Sequence, residues 1–166
     1  TPFSGTGTDV LPFAMQTGAG HPDILGGLSF ITQNEVASVG AQANIVIRSV
    51  NNSHGYRLGD RFEFTAWGAY NLNDWLSLSA RANYETVGET EGVEPLTNGV
   101  ADPSANPFAQ GGERLYIPIG VNLYFRDGIV KGHRLALEWY YPVHEDLNGP
   151  QLSADRTLVA SWQIVF

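Results

Sequence analysis

The sequence predicts an all-β fold, an antiparallel meander of long strands closed into a transmembrane β-barrel, and three observations predict it. Apolar residues recur with period two along most of the chain, the alternating runs are about ten to thirteen residues long, and long and short connections alternate between them. Successive side chains of a strand point to opposite faces, so period two divides each run into an apolar and a polar face. No helical period competes over a comparable window.

Taken in order, the first run is weak: over 9–17, Pro12 and the glycines that follow interrupt the alternation, as proline does in a sheet interior. Residues 1–20 are therefore either weakly structured or a first strand, and a further weak strand falls at 24–33. Residues 36–48 set Val39, Ala41, Ala43, Ile45 and Ile47 against Gln42, Asn44 and Arg48. Residues 61–70 set Phe62, Phe64 and Ala66 against Arg61, Glu63 and Thr65, and 75–86 set Leu76, Leu78, Ala80, Ala82 and Tyr84 against Ser77, Ser79, Arg81, Asn83 and Glu85. Leu115, Ile117, Ile119, Val121, Leu123 and Phe125 oppose Arg114, Tyr116, Pro118, Gly120, Asn122 and Tyr124. Leu135, Leu137, Trp139, Tyr141 and Val143 oppose Arg134, Ala136, Glu138, Tyr140 and His144. In the last run Leu158, Ala160, Trp162, Ile164 and Phe166 share the apolar face, which makes 158–166 the closing strand.

Short connections at 33–35, 71–74 and 126–132 alternate with long ones at 49–60, 87–112 and 144–155, so the two kinds lie at opposite ends of the sheet. The strands are about twice the ~5–6 residues usual in globular sheets and close to the ~9–11 that cross a bilayer when tilted. Hydrocarbon offers no partner to backbone N–H and C=O groups, so a spanning sheet must close on itself. Arg48, Arg61, Glu63, Arg81, Glu85, Arg114 and Glu138 fall on the polar, inward face and are the lumen-lining candidates. Pointing outward, such charges would each cost about 2–4 kcal/mol at the bilayer midplane. Tyr70 and Trp75, Phe125 and Tyr141 stand where interfacial aromatic anchors belong. A soluble barrel or sandwich would show the same alternation. Strand length, loop asymmetry and the charged inward face favour the membrane, and a near-zero mean hydropathy suits strands with one polar face.

Composition narrows the function classes. The 166 residues fit one domain, and a net charge of −8, nine Lys+Arg against 17 Asp+Glu, lacks the basic footprint of a nucleic-acid binder. Without cysteine there is no disulfide framework and no thiolate metal site. No run reaches the ~20 apolar residues of a transmembrane helix, and TPFSGTGTDV lacks the regions of a signal peptide, so any leader has been removed or the chain starts downstream of it.

His144, Glu145 and Asp146 at the start of one loop, with His54 in another, invite a metal, and Asp60, Glu89, Glu91, Glu94 and Asp102 could offer oxygen ligands to calcium. Neither set has a ligand signature; they read as solvated loops and an acidic rim against divalent-bridged lipopolysaccharide, so no metal or cofactor is assigned. GTGTD and GAG precede no helix and are turns. No GxSxG elbow is present, and His133 or His144 with Ser77 or Ser79 is the one conceivable nucleophile–base pair, so the chain reads as a non-enzyme. The inward charges keep two readings: a salt-bridge network filling the narrow lumen of an eight-stranded barrel, or the polar lining of a pore if the barrel has about twelve strands.

The terminal alternation Leu158, Ala160, Trp162, Ile164, Phe166 resembles the C-terminal signal that the barrel-assembly machinery reads in bacterial outer-membrane proteins. Beyond it, GYRLGDRFEFTAWGAYNLNDWLSLSARANYE (55–85), KGHRLALEWYYPVHEDLNGPQL (131–152) and LPFAMQTGAGHPDI (11–24) resemble a family of outer-membrane proteins associated with the meta-cleavage pathway of phenol degradation. The resemblance implies a Gram-negative outer-membrane barrel that transports aromatic or hydrophobic compounds. Family members are longer, with about twelve strands, so these residues are either the C-terminal part of such a barrel or a complete barrel of about eight. The expectation is a barrel that binds or passes small hydrophobic or aromatic molecules. The alternatives are an interaction barrel whose long loops bind a partner protein or lipid, and, third, a surface hydrolase.

Overall fold

A computed structural model describes residues 20–92, 106–153 and 155–164. The expected strand at 9–17, the acidic residues Glu94 and Asp102, and Phe166 lie outside them. Among the described residues seven strands follow one another: β1 (Ile24–Gln33), β2 (Ala37–Ile47), β3 (Arg61–Asn71), β4 (Leu76–Val87), β5 (Gly112–Tyr124), β6 (His133–Leu147) and β7 (Thr157–Ile164), with a 3-10 turn at Pro107–Ala109. Each pairs antiparallel with its chain neighbour, giving one sheet in the order β1 to β7. The all-β antiparallel meander is thus as the alternation predicts. Among the described residues the sheet is open, with β1 and β7 as its edges. Seven antiparallel strands leave those edges running in the same direction.

Two of the tight turns share one device. Asn34 Oδ1 accepts from the Val36 and Ala37 amides at 2.9 and 2.8 Å, and Asn73 Oδ1 accepts from the Trp75 and Leu76 amides at 3.0 and 2.9 Å. Each asparagine side chain replaces a backbone partner and reverses the chain in a few residues. At the opposite end the long connections pack on each other: Arg57 and Glu91 exchange backbone hydrogen bonds of 2.8 and 2.9 Å, and the Thr90 amide donates to Pro107 at 3.2 Å. Tyr56 is 1% exposed here and Thr90 3%. Glu91 also accepts from the Arg57 side chain, which raises the guanidinium's pKa above its ordinary value.

The two faces of the sheet differ in the opposite sense to a soluble sandwich. Ile45, Phe64, Leu78, Leu137, Trp139 and Trp162 stand exposed on the apolar face. On β5 Ile119 is 62% exposed while its neighbours Pro118 and Gly120, on the polar face, are buried. The apolar side is therefore convex and the polar side concave. Among the described residues the buried hydrophobic side chains are Tyr56 and Ala109, both in the packed loops.

One expectation needs correcting. Strict alternation puts His144 on the polar face and Glu145 and Asp146 in a loop, but β6 runs to Leu147 and the connection is 148–156. Between Leu115 and Tyr116 the register shifts: Leu115 lies opposite His144, and Tyr116 opposite Pro142. The extra residue on β6 is a β-bulge, which reverses the phase beyond it. His144 goes to the convex side with Leu115, and Glu145 turns inward opposite Arg114. Pro142 lacks the N–H that a continuous ladder would need, so a break near it is physically apt.

Candidate functional site

The polar face of β3 to β6 carries the candidate site. Arg61 and Glu85 are cross-sheet neighbours on β3 and β4, and Arg61 donates to Glu85 Oε2 through Nη2 at 2.6 Å and Nε at 3.2 Å while its Nη2 also binds Glu63. The other oxygen of Glu85 faces Arg114 Nη1 at 3.7 Å, and Arg114 Nε faces Glu145 Oε1 at 3.6 Å. Tyr116 donates its hydroxyl to the same Glu145 oxygen at 3.3 Å, and Ser153 donates to the other. An alternating chain of charge therefore runs across four strands: Glu63, Arg61, Glu85, Arg114, Glu145. Opposite signs on adjacent strands satisfy each other with little displacement.

A second pair spans a whole strand. Arg81 on β4 donates to Glu138 on β6 at 3.0 Å, reaching over β5, and Tyr140 donates to the other Glu138 oxygen at 3.2 Å. The side chains meet because Gly120 beneath them has none: a Cβ there would lie 2.5 Å from Ser79 Oγ and 3.2 Å from Glu138 Cγ. Gly40 on β2 plays the same part for Trp67 of β3, whose ring atoms would sit 2.3–2.7 Å from an added Cβ. Gly40→Val should destabilise the fold by about 1–3 kcal/mol, the usual cost of overpacking, measured by urea titration. Gly68→Ala, whose added Cβ meets Val39 at an ordinary 3.8 Å, should do so far less.

Of the seven lumen-lining candidates, Arg61, Glu63, Glu85 and Arg114 form one network and Arg81 and Glu138 a second. Arg48 stands apart at the long-loop rim, bound to Asp23 at 3.4 Å, with its amide donating to Asp60 at 2.7 Å. Tyr116 and Tyr140, on the polar face as the alternation has them, complete the wall together with Glu145 and Trp67, which were not foreseen. For Glu145 the signal was present, a proline inside a strand next to a broken alternation. Leu158, Ala160, Trp162 and Ile164 lie exposed on β7, and Trp162 Nε1 donates to His133 Nδ1 at 2.8 Å with the rings stacked at 5.2 Å.

The nucleophile–base pairing considered from sequence is not formed. Ser77 and Ser79 lie on the polar face opposite Asn122 and Gly120, whereas His133 and His144 lie on the convex face. The sheet itself separates them. His144 and Glu145 likewise point to opposite sides. Among the described residues no three His, Asp or Glu side chains gather as a metal site.

No family model, curated protein or solved structure matches the chain.

The geometry alone thus defines what this wall can do. Its charged side chains are partly open to water, from 14% exposed for Glu145 to 41% for Arg61. They are mutually neutralised, so the wall presents polarity with little net field. Such a surface tolerates water and polar solutes and offers an apolar solute no attraction except near Trp67 and the tyrosines.

Proposed function

We propose that this chain forms an outer-membrane antiparallel β-barrel that binds or passes small hydrophobic or aromatic molecules, with no reaction chemistry of its own. The observation that carries the reading is the inverted sheet: a convex apolar face left exposed and a concave face of paired charges. In water the exposed face would forfeit about 25 cal/mol for each Å² of apolar surface left uncovered, whereas in hydrocarbon it is in its solvent. On β6 the outward residues Leu135 to Val143 extend over roughly 27 Å of strand at ~3.4 Å per residue. At a tilt of about 40° this covers about 21 Å, near the ~25 Å apolar band of such barrels.

Closing the sheet takes an odd number of further antiparallel strands between edges that run in the same direction, from the weak run at 9–17 or from a longer chain, and single-chain bacterial barrels have even strand numbers. Outer-membrane lipid and lipopolysaccharide then cover the convex face, and the β7 alternation is the element the barrel-assembly machinery reads. The resemblance of 55–85 and 131–152 to the phenol-pathway family supports an aromatic solute. A second reading, a silent barrel that presents its loops to a partner protein or lipid, draws on the packed long connections and on the network that crosses the lumen.

Conductance across a planar bilayer separates the two. Ion flow that an aromatic solute blocks supports transport, and a silent barrel that co-purifies with a partner supports the second reading. Esterase and phospholipase assays in detergent should show no turnover.

A further inference from the structure

One guanidinium on the polar face meets no carboxylate among the described residues. Among the described residues Arg61, Arg81, Arg114 and Arg48 each meet an acid, whereas Arg134 donates through Nη2 to the neutral Asn122 Oδ1 at 2.9 Å and enters no ion pair. In the sheet it lies between Tyr124 of β5 and Gln163 of β7. It lines a cleft of about 850 Å³ at the short-turn end, together with Asn122, Gln163, Tyr124 and Trp75. A second hollow of about 290 Å³ shares Arg134, Asn122 and Gln163 and continues to Arg81 and Glu138. Two carboxylates stand at the rim of the larger cleft: Asp74, held by Arg126, and Glu35 in the β1–β2 turn.

We infer that this cleft binds a small aromatic carboxylate. The guanidinium keeps a planar edge of N–H donors that a carboxylate can occupy in bidentate fashion. Tyr124 and Trp75 supply ring surface in the same cleft, and the amides of Asn122 and Gln163 add neutral hydrogen bonds without a competing charge. The chain carries a net charge of −8, a field that repels anions in general. Selection of an anion must therefore come from a local cation free to take it; of the two arginines lining the cleft Arg126 is paired with Asp74, which leaves Arg134. The inference rests on the proposed passage or binding of small aromatic solutes and names their charge class.

The test is a titration of the full chain, folded in detergent, with benzoate, benzyl alcohol and acetate, followed by tryptophan fluorescence. Benzoate should bind at least tenfold more tightly than either of the others, and 1 M NaCl should weaken benzoate while leaving benzyl alcohol unchanged, because salt screens an exposed cation. Arg134→Gln should bring benzoate to within twofold of benzyl alcohol, Arg134→Lys should keep part of the preference, and Arg126→Gln should keep all of it. Equal binding of benzoate and benzyl alcohol by the unaltered protein overturns the inference and leaves the proposed function standing. A preference that survives Arg134→Gln, or that ignores salt, also overturns it. Failure of every aromatic probe to bind removes both.

Discussion

Leu137→Arg should cost about 2–4 kcal/mol of stability in phospholipid vesicles if the convex face meets lipid as proposed, the cost of an arginine near the bilayer midplane. Leu137 sits in the middle of the outward row of β6, 46% exposed, with Leu135 and Trp139 on either side. The neighbouring substitution, Ala136→Arg, puts the same group on the polar face, where it adjoins the hollow lined by Glu138 and Ser161. That variant should lose less, since its charge meets water and Glu138 beside the like charges of Arg81 and Arg134, and exposed charge interactions are worth about 0–1 kcal/mol each. Urea titration of both proteins in the same vesicles makes the comparison. In an aqueous setting the order would vanish or invert, because an exposed leucine exchanged for arginine in water is near neutral. Equal stability of the two variants would therefore count against lipid on the convex face.

Removal of the Glu85 carboxylate should have the next largest effect. Glu85 meets two arginines, Arg61 at 2.6 Å and Arg114 at 3.7 Å, and it is 27% exposed. Each arginine retains a second acid, Glu63 and Glu145 respectively, so Glu85→Ala leaves neither cation isolated. Solvent-exposed pairs are worth about 0–1 kcal/mol each, and the expected loss is about 1–2 kcal/mol. The functional consequence is larger than the structural one. With the bridge gone the network of three acids and two arginines becomes two of each, one unit less negative, and if the barrel conducts as proposed its reversal potential in a salt gradient should shift toward anions. Glu113→Gln provides the contrast: Glu113 faces outward opposite Asp146, like charges that repel across the ladder. Its removal should leave selectivity unchanged and stability equal or slightly higher.

Much of this wall was legible from alternation alone. Arg61, Glu63, Arg81, Glu85, Arg114 and Glu138 share a face because side-chain direction in a strand is fixed by parity, a local property that needs no knowledge of partners. Asn34 and Asn73 likewise mark their turns locally. Parity fails where the ladder slips, and it failed at Val143–His144. One extra residue on β6 sent His144 outward and brought Glu145 to Arg114, which no period-two count contains.

Which charges pair is a different matter again. That Arg81 meets Glu138 across β5, while Arg114 bridges β4 and β6, depends on register between strands and on the absence of a side chain at Gly120. The solitary position of Arg134 is of the same kind, since it lies on the polar face like the others and differs only in having Asn122 as its neighbour. The chain by itself determined strands, faces and the ends at which tight turns fall, because those depend on residues a few positions apart. Only the tertiary structure decided the bulge and the ion-pair map, because each is set by contacts between residues dozens of positions apart.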